Sequence, residues 1–262
     1  MKENLDKKLL KLINNKTSGS SELLTLLHDH LKEERKIFEL FPSLIIELQK
    51  KFTSFKNIQS YLDEFYNEIK NKGNLEKFFN KYDETLINVY DNIFLKAKNE
   101  LLKYSNFITI SNSKTVYEIL KRIKKEKSKI TVYISESRPK YEGKILARKL
   151  AEEKINVYLI TEAMLSNYVK NSDAALIGAD MILKNGNIVN KVGSSTLAIL
   201  CKYYKVPFFV VADKSKFSSK NTFDKKAMPS AEIWRNPPLN IEIPNYYFEE
   251  IDKKLITKVF TS

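Results

Sequence analysis

The chain is poor in the residues that break, staple or anchor a fold. Six glycines and seven prolines among 262 residues leave few places for tight turns, and the single cysteine excludes an intrachain disulfide. Most of the glycines and prolines fall after residue 135, so the first part reads as helical and the second as rich in turns. No apolar run approaches the roughly 20 residues needed to span a bilayer. The beginning of the chain also lacks the uninterrupted apolar core of a signal peptide. A cytoplasmic protein without a membrane contact is the expectation. The two histidines, His28 and His30, are two positions apart, where a helical metal pair would be four apart, so no metal site is expected and both read as surface or packing residues. No cofactor is expected either. Cys201 sits in the apolar pattern Leu197, Leu200, Cys201, Tyr204 and reads as a small buried hydrophobe instead of a reactive thiol.

What the chain does have is apolar residues and positive charge. Hydrophobic residues make up 43%, enough for one large core or two modest ones. Lysine and arginine number 45 against 32 acidic residues, a formal charge of +13. That excess favours nucleic acid, acidic proteins or phosphorylated small molecules as partners. The lysines are scattered through Lys2–Lys8, Lys121–Lys129 and Lys220–Lys226 and form no stripe with aromatics, so direct nucleic-acid binding stays open.

Apolar residues recur at three and four up to about Tyr104: Leu5, Leu9 and Ile13; Phe52, Phe55, Ile58, Leu62, Phe65 and Ile69; Leu75, Phe78, Tyr82, Leu86, Tyr90 and Ile93. This is helix periodicity, interrupted at Ser18-Gly19-Ser20-Ser21 and at Asn71-Lys72-Gly73-Asn74. From Phe107 short β-branched runs alternate with helical patterns: Phe107–Ile110, Ile130–Ile134, Val157–Ile160, Ala174–Ile177 and Val206–Val211. The alternation predicts a mostly parallel sheet covered on both faces. A small hairpin is expected from Met181–Leu183 to Ile188–Asn190 through Asn185-Gly186. The fold class is therefore α/β: a helical N-terminal domain over 1–104, then a doubly wound, mostly parallel sheet domain over 105–262.

In such sheets ligands bind beyond the carboxyl ends of the strands. Ser111, Asn112 and Ser113 follow the first strand, Ser135–Arg138 the second, Asp180 the fourth, and Asp213, Lys214 and Lys216 the fifth. Arg138 could grip phosphate through its planar fork, Lys191 could add a point charge, and Asn190 could bind a sugar hydroxyl. Asn112 and Ser113 could equally cap the helix starting near Lys114, and Arg138 could form a surface ion pair with Glu136 or Glu142. Asp180 is harder to explain structurally. A carboxylate after Leu176-Ile177-Gly178-Ala179 should be partly desolvated and should have a close cation or a perturbed pKa.

Glu136-Ser137-Arg138-Pro139 with Glu142-Gly143, then Gly178-Ala179-Asp180, Asn190-Lys191-Val192-Gly193, Pro207-Phe208 and Lys216-Phe217 occur in that order. Together they resemble the family that joins the alpha, beta and delta regulatory subunits of translation initiation factor 2B to the isomerases of ribose 1,5-bisphosphate and methylthioribose 1-phosphate. The resemblance implies a helical domain before a Rossmann-like domain that dimerises. It also implies a ligand site over Ser111, Asn112, Ser113, Arg138, Asp180, Asn190, Lys191 and Lys216. The isomerases pair the Gly-Ala-Asp aspartate with a cysteine in a Thr-His-Cys-Asn-type segment. Here that segment is Thr109-Ile110-Ser111-Asn112-Ser113, with serine for the thiol and isoleucine for the histidine. Their Arg-Gly-Ala phosphate-binding segment has only Ser18-Gly19-Ser20-Ser21 as a loose substitute. The resemblance thus implies an archaeal-type, non-catalytic member that binds initiation factor 2 through its alpha subunit, forms a homodimer and retains a sugar- or nucleotide-phosphate pocket. A divergent sugar-phosphate isomerase, with Asp180 catalytic and Ser111 at the cysteine position, is the alternative.

Overall fold

The computed structural model describes residues 7–15, 18–53 and 55–262. Leu5 and most of the Lys2–Lys8 cluster lie outside them. The helical spacing yields α1 (Lys7–Ile13), α2 (Ser20–Glu33), α3 (Arg35–Leu40), α4 (Ser43–Lys51), α5 (Lys56–Lys70) and α6 (Leu75–Leu101). In α5 the buried positions Ile58, Tyr61, Leu62 and Phe65 trace one helical stripe. They meet Phe78, Phe79 and Tyr82 of α6 in an aromatic core, with Tyr61 edge-on to Tyr82 at 4.6 Å between ring centres. The break at Asn74 works as the sequence implies: its side chain accepts the Lys77 N–H at 2.9 Å and starts α6.

Helix α6 serves two cores. Its first turns, through Phe78 and Phe79, close the helical core, whereas Val89, Tyr90, Ile93, Phe94, Ala97 and Leu101 pack against the sheet. The two sets of buried side chains therefore part within α6, upstream of the change of rhythm near Phe107. Both histidines are buried, because α2 is enclosed: His28 lies within 3.1 Å of the Tyr61 hydroxyl and 2.9 Å of Asp83, and His30 packs edge-on against Phe38.

The second part runs β1 (Asn106–Thr109), α7 (Lys114–Glu126), β2 (Thr131–Ser135), α8 (Glu142–Glu152), β3 (Asn156–Ile160), α9 (Leu165–Val169), β4 (Ala174–Ile177), β5 (Met181–Ile182), β6 (Ile188–Lys191), α10 (Ser194–Tyr204), β7 (Phe208–Ala212), β8 (Phe248–Ile251) and β9 (Lys258–Thr261). Six strands form a parallel sheet in the order β3-β2-β1-β4-β7-β9. Alternation along the strands covers both faces. Phe107, Leu176, Phe209 and Val211 join the core beneath α6, α7 and α8; Ile108, Ile177, Phe208 and Val210 join the core beneath α9 and α10.

All five strands read from the sequence are present, with ends moved by no more than two residues. The expected hairpin is β5 and β6, turning through Gly186 at φ 89°. Sequence reading missed β8, which joins β5 and β6 in a three-stranded antiparallel sheet, and β9, which extends the parallel sheet beyond β7. Phe248-Glu249-Glu250-Ile251 has no apolar run to announce it; its pairing with β6 makes it a strand.

Candidate functional site

Chain order reverses between β1 and β4. The chain leaves β1 toward β2 and β3 on one side, while β4, β7 and β9 lie on the other. Loops leaving the carboxyl ends of β1 and β4 must diverge, and that opens a crevice. Ile110–Ser113 and Gly178–Asp180 form its walls, Asn190 and Lys191 come from the β6 hairpin, and Gly19–Ser21 close it from the helical part. Two glycines let the walls come close here. A Cβ on Gly178 would lie 2.5 Å from Ser113 Oγ, and one on Gly19 would lie 3.0 Å from the Asn112 carbonyl oxygen.

Helices α2 and α7 both begin at this crevice, presenting Ser20, Ser21, Lys114 and Thr115. Helix N-termini carry partial positive charge and unpaired N–H groups, so two of them beside Lys114 favour an anion. Ser113 caps α7, accepting the Val116 N–H at 3.3 Å, which is the structural role open to it from the sequence. Ser111 holds a left-handed backbone at φ 67°, uncommon for a residue with a Cβ and found at functional sites. Its N–H donates to Ser137 Oγ at 2.8 Å, which ties the loop after β1 to the loop after β2.

Asp180 is buried and its Oδ1 accepts from Ser20 Oγ at 2.9 Å. Lys216, only 2% exposed, donates its Nζ to the same Ser20 oxygen. The serine thus stands between a buried ammonium and a buried carboxylate, which supplies the nearby cation that the position of Asp180 called for. Burial pushes the Lys216 pKa down to about 8, with the negative charges of Asp180 and Asp213 opposing the shift. Lys216 is placed by the short helical turn Lys214–Lys216, whose start is capped by Asp213.

The sequence-predicted residues do not all converge. Ser111, Asn112, Ser113, Asp180, Asn190 and Lys191 line the crevice, and Lys216 lies beneath it, reached through Ser20. Arg138 lies outside it, itself exposed, on a shelf with Pro139, Glu142, Tyr246 and Tyr247, because β2 is one strand removed from the point of reversal. Its guanidinium donates to the Tyr141 hydroxyl and covers the Tyr141 ring at 5.0 Å, so it pairs with neither Glu136 nor Glu142. Lys191 touches both places, but its Nζ is 2.7 Å from the buried Glu142 carboxylate, which offsets its charge. Asn190 donates to Ser194 Oγ at 3.0 Å, fastening β6 to the start of α10.

Sequence reasoning misses Lys114; it reaches Ser20 only within Ser18–Ser21, the loose substitute for a phosphate-binding segment, and Glu142 only in the Arg-Pro motif and as an ion-pair candidate for Arg138. No signal in the sequence pairs Ser20 with Asp180, which is 160 residues away. Cys201 is fully buried and its thiol pKa is pushed up to about 12 by desolvation, so it cannot stand in for a reactive thiol. Among the described residues no cluster of potential ligands could hold a metal ion, and no described helix is long and apolar enough to cross a membrane.

Known proteins resemble this chain in sequence and in fold. The chain is 37% identical over 154 residues to the eIF-2B subunit 2-like translation initiation factor of Pyrococcus furiosus, covering 59% of this chain and 55% of that relative. It therefore spans little more than half of that relative's length. It is 25% identical over 241 residues to the ribose 1,5-bisphosphate isomerase of Methanocaldococcus jannaschii, covering 88% of this chain and 78% of that enzyme. A chain of the tetrameric eIF2B-beta2-delta2 complex from C. thermophilum superposes with a TM-score of 0.76 at 15% identity, over 98% of this chain and 91% of that one, and so shares the fold. The helical part, the reversal crevice and the ordered motifs all lie within residues 5–262, the span matched by the model of the initiation factor 2 subunit family, and to that family the chain belongs.

Proposed function

We propose that this chain is a regulatory-subunit-like, non-catalytic member of its family: a cytoplasmic homodimer that binds initiation factor 2 through the alpha subunit and holds a sugar- or nucleotide-phosphate in the Asp180 crevice. The observation that carries the reading is Ser111. It occupies the position of the isomerase thiol, Ile110 stands where a histidine would serve as base, and the chain's one cysteine is buried elsewhere with a raised pKa. Moving a proton between adjacent carbons needs a competent base, and an unassisted hydroxyl is a poor one. Anion binding survives that loss, since two helix starts and Lys114 line the crevice and Lys216 lies beneath it. The site residues on this reading are Ser111, Asn112, Ser113, Asp180, Asn190 and Lys191 with Lys216 beneath. The helical part up to residue 104 contributes Ser20 and closes the crevice.

A second reading, a divergent sugar-phosphate isomerase, is favoured by Asp180 and Lys216, a buried carboxylate and a lysine whose pKa burial lowers to about 8, joined through Ser20. Turnover decides between them. Purified protein should bind ribose 5-phosphate yet leave ribose 1,5-bisphosphate and methylthioribose 1-phosphate unchanged. Robust conversion by the wild type, abolished in Asp180→Asn, would establish the isomerase instead.

A further inference from the structure

At the end of the sheet away from the Asp180 crevice, where β7 and β9 begin and α10 ends, lies a groove of about 550 Å³. Its floor is aliphatic: Val206, Pro207, Leu255 and Ile256 are each half-buried and leave part of their surface to solvent. Lys202 and Lys205 stand on one side, at the end of α10, and Lys254 stands on the other, in the turn before β9. All three are exposed, and no acidic side chain lines the groove.

These lysines differ from many others in the chain. Lys103, Lys121 and Lys149 each meet a carboxylate within 3.1 Å. Among the described residues no carboxylate or other hydrogen-bond acceptor meets the ammonium of Lys202, Lys205 or Lys254. The helix dipole accounts for positive charge at the end of α10 but not for Lys254, which belongs to a separate turn of three residues. The groove therefore joins uncompensated positive charge from two elements to an apolar floor. Its complement is a negative surface that carries an apolar side chain.

The lining narrows the choice of partner. Single-stranded nucleic acid is held by rings that stack on bases and by arginine forks on phosphates, and the groove is lined by neither. A membrane surface takes apolar side chains that protrude, whereas here they are recessed between exposed lysines. A second copy docked through the same groove would set lysines against lysines.

We propose that this groove docks an acidic protein segment, whose carboxylates meet Lys202, Lys205 and Lys254 and whose aliphatic side chain covers Val206, Pro207, Leu255 and Ile256. The site lies at the opposite end of the strands from the crevice and does not rest on the phosphate reading.

The probe is the fluorescein-labelled peptide EDDLLIDDEE, titrated with the full chain and followed by fluorescence anisotropy. It should bind saturably. EDDSSSDDEE, with the same charge and no apolar side chain, should bind at least roughly tenfold more weakly, as the loss of one buried aliphatic side chain requires. Lys202→Glu combined with Lys254→Glu should also weaken binding of EDDLLIDDEE by at least roughly tenfold. Lys125→Glu combined with Lys129→Glu, at two exposed positions by the end of α7, lowers the net charge equally and should leave the affinity within about twofold. The proposal fails if the peptide shows no saturable binding, if the serine peptide binds as well, or if the two double variants weaken binding alike, which would mean attraction to net charge alone. It also fails if oligouridine or phosphatidylglycerol vesicles bind more tightly than the peptide and lose that binding in the Lys202→Glu, Lys254→Glu variant, since the groove would then belong to nucleic acid or to a membrane. A sedimentation coefficient changed in that variant alone would make the groove a contact between copies of this chain and overturn the proposal.

Discussion

The Asp180 crevice and the Arg138 shelf lie along the same edge of one sheet, yet they are different kinds of place. In the crevice, polar groups are buried and locked to one another: Ser20 joins Asp180 to Lys216, and Ser111 is held in a left-handed backbone by Ser137. On the shelf, Arg138 is exposed and rests on Tyr141. Neighbouring strands are about 4.8 Å apart, so one strand's displacement from the reversal point is enough to carry a side chain out of the pocket. The difference teaches that a motif's place in the strand order matters as much as its chemistry. Glu142 and Lys191 form the boundary between the two, a close pair with little solvent to screen it.

The comparison can be broken most forcibly at Asp180. Asp180→Ala removes the acceptor of Ser20 and the counter-charge of Lys216, and losing one partner of a buried pair typically costs about 3–5 kcal/mol. Urea unfolding at pH 7 should show a loss of that size, and Asp180→Ala combined with Lys216→Met should recover much of it. Arg138→Met should change stability by less than about 0.5 kcal/mol, as exposed charges do.

The next effect is in pH. Lys216 titrates near 8 when folded and has an ordinary lysine value of 10.5 when unfolded. Below pH 8 both states are protonated and stability does not change on its account. Between pH 8 and 10.5 the unfolded chain holds more protons, so stability rises with pH, by up to about 3 kcal/mol in all. The unfolding free energy of the wild type minus that of Lys216→Met should increase over this window. A flat difference would mean that Lys216 is not buried as a charge. Phosphate affinity should fall over the same range, because the crevice loses a positive charge.

The smallest expected effect separates shelf from crevice in binding. Glu142→Gln keeps an acceptor for Lys191 but removes the negative charge beside it, so ribose 5-phosphate should bind about tenfold more tightly, or ~1.4 kcal/mol. Arg138→Met should leave that affinity within about twofold. If the arginine variant instead weakens binding strongly, the shelf is part of the ligand site and calorimetric titration will show it.

Much of this was legible in the order of residues, and the misses have physical causes. Ala174–Ile177 and the other β-branched runs were recognisable as strands because burial on both faces forces continuous apolar character. Ser113 as a cap and Cys201 as a core residue were legible from local spacing. Ser20 was not, because nothing near Gly19 indicates that its helix starts against Asp180. Nor was the displacement of Arg138, since the motif that contains it looks the same whether β2 borders the reversal point or lies one strand away.

The sequence by itself determined the helical first part, the alternating second part, the strand ends that carry polar groups and the absence of a thiol at Ser111. Each of these depends on neighbours within a few residues, through backbone propensity and the periods of helix and strand. Only the tertiary structure decided that Ser20 would bridge Asp180 and Lys216 and that Glu142 would claim Lys191. Those outcomes depend on which segments far apart in the chain come to share one desolvated space, and that is set by the packing of whole helices on the sheet.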